Sequence, residues 1–81
     1  MSEKYKHIDI ERTAKRLKRC RKEVAHLSQR QLGERLGVSS NAVGQWERGI
    51  CLPSLDQAVG LSKILGMEIN GFIVEQKGRR A

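Results

Sequence analysis

The chain has 81 residues, 38% hydrophobic and 31% charged, with a net charge of +7. A chain this short forms one small domain that buries only ~60% of its unfolded surface, so pairing with a second copy is an expected source of stability. No stretch approaches the ~20 apolar residues of a membrane span, and MSEKYKHIDIERT at the N-terminus has no apolar signal segment. The expected location is cytoplasmic, with no membrane partner.

Residues 1–8 read as a flexible N-terminal arm, after which the spacing becomes helical. Ile10, Ala14, Leu17, Cys20 (or Arg21) and Val24 recur at intervals of three and four and predict a first helix over 9–25. Of the sixteen Lys and Arg, nine precede Ser28 and seven lie between Arg12 and Lys22. Such a balance favours polyanions as partners, although cations on successive turns point in several directions and much of this charge is a solvated face.

Ser28 and Gln31 have the spacing of a capping box, in which the serine hydroxyl accepts from the N3 amide and the glutamine reaches back. A second helix therefore starts there and runs to Leu36, with Gly37 as its left-handed stop. Ser39 caps a third helix that ends near Arg48, followed by Gly49. After Pro53, Ser54 and Gln57 repeat the capping-box spacing, and Asp56 puts negative charge at the positive end of a fourth helix. Leu55, Ala58 (with Val59), Leu61 (with Ser62) and Leu65 give its buried stripe, and Gly66 stops it. Ile69, Phe72 and Ile73 predict one or two further helical turns, and residues 76–81 a basic tail. The expected architecture is all-α, five short helices in one domain over 9–75.

Cys20 and Cys51 lack the paired spacing of a zinc site and are too few for a disulfide framework. They read as a small buried residue and a loop residue, and neither metal nor cofactor is expected. His7 lies in the arm and His26 at a helix end, where it is a partner for the helix dipole more than a catalyst. With no nucleophilic triad, phosphate-binding glycine loop or carboxylate pair in a cleft, the chain does not read as an enzyme.

The informative unit is Gln29 to Gly49, two helices of about eight residues flanking Gly37-Val38-Ser39. Helices this short are marginal alone and must pack on each other and on the rest of the domain. A tight turn with a steep crossing needs a small residue where the backbones approach, and Gly33 supplies it. Leu32 and Leu36 would then meet Val38, Val43 and Trp46, which is helix-turn-helix packing with the second helix offered to a DNA major groove. Ala42, Val43 and Trp46 form the inner stripe of that helix. Asn41, Gly44 or Gln45, and Arg48 line its outer side, with Ser40 at the N-terminal end. Asn and Gln can bridge N6 and N7 of adenine, and Ser can serve several base edges. Gly44 costs ~1 kcal/mol relative to Ala inside a helix. Two accounts of it stand: close approach to DNA, or simple tolerance.

The stretch LSQRQLGERLGVSSNAVGQWERGICLPSLDQAVGLSKILGMEINGFI resembles the phage repressor/Cro-type helix-turn-helix family, also called the xenobiotic response element family. The resemblance covers residues 10–73. Its carriers are L-S-Q before the second helix, L-G-V-S at the turn, W-E-R-G ending the third, and L-P-S-L opening the fourth. It implies a five-helix, lambda-repressor-like fold and sequence-specific binding of double-stranded DNA, commonly as a homodimer on an inverted repeat. By position it implies that Ser40, Asn41, Gly44 and Gln45 face the bases and that Gln29, Ser39 and Arg48 meet phosphate. It also implies an ion pair of Glu47 with an arginine of the first helix. With one extra residue between Lys22 and His26 that arginine is Arg21, and Cys20 takes a core position usually filled by leucine.

The chain departs from the family pattern at Ile50-Cys51-Leu52, where relatives often carry basic or polar residues. Two fates are open for Ile50 and Leu52: tucking beneath the fourth helix, or packing across a dimer near the DNA dyad, which is favoured. Met67, Phe72, Ile73 and Val74 offer a second dimer surface, Val74 above all, the other account of Phe72 being a terminal helix that closes the core. The alternative in another functional class is an antitoxin or adaptor whose main partner is a toxin or other protein. Single-stranded RNA is disfavoured because one Trp, one Tyr and one Phe supply few stacking platforms.

Overall fold

The computed structural model describes residues 5–76. In chain order it contains α1 (Ile10–Arg19), a π-helical turn (Cys20–Val24), α2 (Gln29–Leu36), α3 (Ser40–Glu47), α4 (Leu55–Leu65) and one 3-10 turn (Ile69–Gly71). Asp9 caps α1, its Oδ1 accepting from the Arg12 N–H at 3.0 Å. The helix expected to run unbroken to residue 25 instead widens after Arg19. The Ala25 N–H donates to the Cys20 carbonyl at 3.0 Å, five residues back. A π turn takes up more chain than an α turn and is how a helix absorbs an extra residue. That wider turn brings Cys20 and Arg21 inward together, 5% and 7% exposed, and rotates Val24 outward to 51%. Val24 therefore leaves the inner stripe expected of it. His26 ends the segment in the left-handed region, φ 56°, a conformation His tolerates better than most residues.

Both capping boxes form: Ser28 Oγ accepts from the Gln31 N–H and Ser54 Oγ from the Gln57 N–H, while each glutamine accepts from its serine N–H. Gly37 and Gly66 supply the left-handed stops at φ 84° and 71°. Leu17, Cys20, Leu32, Val43, Trp46, Leu61, Leu65 and Phe72 make the core. Phe72 is wholly buried, with Met67 and Ile73 packed partly buried against the core. In α4 the inner stripe is Ala58, Leu61 and Leu65. Leu55, expected on that stripe, is 80% exposed, because none of the described residues covers the first turn on that side.

A fifth helix is not formed among the described residues. Gly71 closes the 3-10 turn, and the chain then straightens to pair with residues 7–9. Ile8 and Glu75 form an antiparallel bridge. The Asp9 N–H donates to the Val74 carbonyl at 2.8 Å, and the Gln76 N–H to the His7 carbonyl at 2.9 Å. The Gln76 side-chain amide adds bonds to the carbonyls of Tyr5 and Ile8. The arm expected to be flexible over 1–8 is thus held over 5–8. Gln76, expected in the tail, belongs to the same clasp. The rest of both ends lies outside the described residues. Val74 has an internal place after all: it is half-buried, and its N–H donates to the Oγ1 of Thr13, itself 1% exposed, at 2.9 Å.

Candidate nucleic-acid interface

The α2–α3 turn is built on backbone contact. Gly37 and Val38 both donate their N–H to the Gly33 carbonyl, at 2.7 and 2.9 Å. A Cβ on Gly33 would stand 2.6 Å from the Val38 carbonyl oxygen, so only glycine allows this approach without a backbone shift. Ser39 Oγ then caps α3 by accepting from the Ala42 N–H at 3.1 Å. Its own hydroxyl hydrogen stays available to an anion. Val43 and Trp46 turn inward, 0% and 4% exposed, and fix which side of α3 faces out.

On the outward side Ser39, Ser40, Asn41 and Arg48 are exposed and Gln45 is half-buried. Gly44, one turn before Arg48, is buried. It presents no open gap: a Cβ there would lie 3.2 Å from Arg48 Nη1 and 3.6 and 3.7 Å from Gln29 Oε1 and Nε2. Two side chains from either end of the motif cover it.

Behind this face lies a polar network. Arg21 donates from Nε to Glu47 Oε2 at 2.6 Å and from Nη2 to Glu47 Oε1 at 2.9 Å. Its Nη1 donates to the Leu27 carbonyl at 2.8 Å. Gln29 Nε2 donates to the same Glu47 Oε1 at 3.0 Å. The paired side chains are 8% and 2% exposed. A fork-on-carboxylate pair this dry binds the π turn, the entry to α2 and the end of α3 into one rigid angle. It also shows that one of the seven cations between Arg12 and Lys22 is structural, while Arg12, Lys15, Arg16, Lys18, Arg19 and Lys22 remain exposed.

Two contacts escaped the sequence. The Cys51 thiol faces Gln45 Oε1 at 3.9 Å, reached because Gly49 turns back at φ 74° and the Ile50 N–H donates to the Gln45 carbonyl at 3.0 Å. The convergence of Gln29 and Arg48 over Gly44 also went unseen, although a glycine four residues before an arginine on one helix face was a readable sign. Ile50 is 50% exposed, and Leu52 is half-buried. Among the described residues no group of three His, Cys, Asp or Glu could hold a metal ion, and no helix is long and apolar enough to cross a membrane.

A helix-turn-helix family model matches residues 17–72, well over half of the chain. The chain belongs to the Cro/C1-type helix-turn-helix family. Over 47 residues it is 47% identical to an uncharacterized HTH-type transcriptional regulator of Mycobacterium tuberculosis, in strains CDC 1551 / Oshkosh and ATCC 25618 / H37Rv alike. That match covers 58% of this chain and 34% of the relative, so the chain spans about a third of the length of these curated relatives. Among solved structures it resembles the P22 c2 repressor in complex with a synthetic operator, with a TM-score of 0.67 and 33% identity over 72% of this chain and 86% of that one. It also resembles the restriction-modification controller protein C.AhdI from Aeromonas hydrophila, with a TM-score of 0.71 and 28% identity over 79% and 91% of the two chains. Both likenesses extend through the helix-turn-helix described above. In this Cro/C1-type chain, the family's acid–arginine pair falls on Glu47 and Arg21 and rests on a π turn.

Proposed function

We propose that this protein is a sequence-specific double-stranded DNA-binding transcriptional regulator, a repressor that occupies an inverted-repeat operator as a homodimer. The observation that carries the reading is the outward face of α3. Ser40, Asn41 and Gln45 stand there on a helix whose rotation is locked by Val43, Trp46 and the Arg21–Glu47 pair. The P22 c2 repressor, to which the chain is similar, was solved with an operator.

In this reading α3 enters the major groove, and the side chains of Ser40, Asn41 and Gln45 discriminate bases. Gln29, oriented by Glu47, and Ser39, with its free hydroxyl hydrogen, meet phosphate and set the register. Two copies related by a twofold axis put their α3 helices in successive major grooves ~34 Å apart. The apolar surface of Ile50 with Leu52 supports pairing across the dyad. Val74 contributes less, since its backbone is committed to Thr13 and Asp9. Repression follows from excluding polymerase.

Selection of bound sites from random duplex DNA tests the proposal. An enriched inverted repeat, with affinity falling as salt rises at a slope of ~−0.9 per phosphate neutralised, is the expected outcome. Gln45→Ala should then relax preference at one base position per half-site. Binding without any enriched sequence would sink the regulator reading. It would favour the antitoxin or adaptor reading, which has its own support in the exposed Leu55 and Val59 of α4.

A further inference from the structure

Gly44 sits where the outward arc of α3 meets the start of α2, a Cβ there lying 3.6 Å from Gln29 Oε1. At roughly 100° per residue, Glu47 and Ser40 fall to one side of it, and Arg48, Asn41 and Gln45 to the other. Gly44 has no side chain, yet it is buried.

What buries it is Arg48, one turn later, together with Gln29 from α2. Helical side chains lean toward the N-terminus and cover the preceding turn. Arg48, whose backbone is only the C-cap of α3, therefore carries its guanidinium one turn back along the helix, beside Gly44. Nη1 comes within 3.2 Å of the place a Cβ on Gly44 would take, closer than ordinary carbon contact. A Cβ at 44 would make the guanidinium give by a few tenths of an ångström, and a longer side chain would displace it. Among the described residues no carboxylate pairs with Arg48, so its donors are uncommitted. Gln29 presents Oε1 to the same space, its Nε2 being held by Glu47.

The family resemblance implies that Arg48 meets phosphate. The geometry points to a different role: Arg48 reads a base, and Gly44 is the space that lets it do so. The base is guanine. A planar fork of donors matches the paired acceptors O6 and N7, which among the four bases only guanine presents together in the major groove. Asn41 and Gln45 suit adenine and Ser40 serves several base edges, so this arginine is the group that adds a preference for guanine. The inference rests on the DNA-binding reading above and adds one specificity-determining residue to it.

The test is selection from random duplex DNA with the wild-type chain, Arg48→Lys and Gly44→Ala. Binding of each to the enriched duplex, and to duplexes changed one base pair at a time, is then followed by fluorescence anisotropy. Lysine keeps the charge but loses the fork. The wild type should prefer guanine at one position per half-site by roughly tenfold or more. Arg48→Lys should cut that preference severalfold, leaving the other positions and the salt dependence unchanged. Gly44→Ala should weaken the same position, with its thermal melting checked alongside, because its added methyl meets a flexible side chain and leaves the fold intact. An unaltered base profile in Arg48→Lys, or a loss shared equally by all duplexes, overturns the inference and returns Arg48 to phosphate. So does a Gly44→Ala protein that keeps the guanine preference. If the wild type enriches no sequence at all, the regulator reading fails with it; if it enriches one that ignores Arg48, only this inference fails.

Discussion

Helices α2 and α4 share one set of signals: a Ser–Gln capping box at the start, a left-handed glycine at the stop, and a glycine inside facing a neighbour. Their surroundings differ. The first residue of α2, Gln29, is tied to Glu47 and through it to Arg21. The first residue of α4, Leu55, is 80% exposed. The internal glycine of α2, Gly33, meets backbone, whereas Gly60 of α4 meets only the tip of a side chain, Leu36 Cδ1, at 2.6 Å from a notional Cβ. The same local code thus serves an element held by backbone contact and a buried ion pair and one whose packing can adjust. The fixed element is the one that carries α3.

The sharpest way to break the comparison is to cut the tether. Glu47→Ala leaves Arg21 charged, buried and without its carboxylate. The expected loss is ~3–5 kcal/mol, a fall in Tm of over ~12 °C at ~4–8 °C per kcal/mol for a domain this small. Thermal melting by circular dichroism reads it, and base preference among the folded fraction should change far less. Unchanged melting would remove the tether from the account.

Next comes the internal glycine of α2. Gly33→Ala forces the Val38 carbonyl to move and should cost ~1–3 kcal/mol, the usual toll of overpacking, measured by chemical denaturation. The matching change in α4, Gly60→Ala, should fall within ~1 kcal/mol of the wild type. Leu36 can rotate aside, while alanine gains up to ~1 kcal/mol of helix propensity. Equal losses at the two positions would erase the distinction between the helices.

The smallest effect lies beyond the C-terminal end of α4, where the Cys20 thiol of the π turn donates to the Met67 thioether at 3.6 Å. Burial pushes the Cys20 thiol above its ordinary 9.0, outweighing the pull of Arg16 and Arg19 in the other direction. A raised folded pKa means the contribution is whole below the unfolded value and is lost as pH climbs through the folded one, since the unfolded thiol ionises first. Melting followed from neutral to alkaline pH should therefore decline more steeply in the wild type than in Cys20→Ala. Parallel curves would show that this thiol is not buried in solution.

Most of the local structure was legible because it is written in single residues. Ser28 with Gln31, Ser54 with Gln57, Gly37 and Gly66 each have one physical use, and each is found in it. The Arg21–Glu47 pair could be located only through the family resemblance and its extra residue, because no local rule links positions 26 apart. The misreadings have a common origin in tertiary context. Val24 was placed inward by α-helical spacing that the π turn does not keep. The burial of Thr13 depends on Val74, a partner 61 residues along the chain. The strand-like pairing of the ends offers no alternating pattern to read, being a single bridge held by backbone and one glutamine. At the reading face the outward residues of α3 followed from periodicity, whereas the folding-back of Arg48 depends on what glycine omits.

The clasp between residues 5–9 and 74–76 means that the chain enters and leaves the domain at one point. Antiparallel pairing gives that point a direction: tension applied through the two ends would peel the hydrogen bonds apart one after another, from Gln76 toward Asp9. Such a clasp resists little force, and Thr13 is the next group it would release. Residues 5 and 76, once drawn apart, would pull first on the start of α1. Mechanical load would reach α1 before it reached the helices that carry the DNA-reading face.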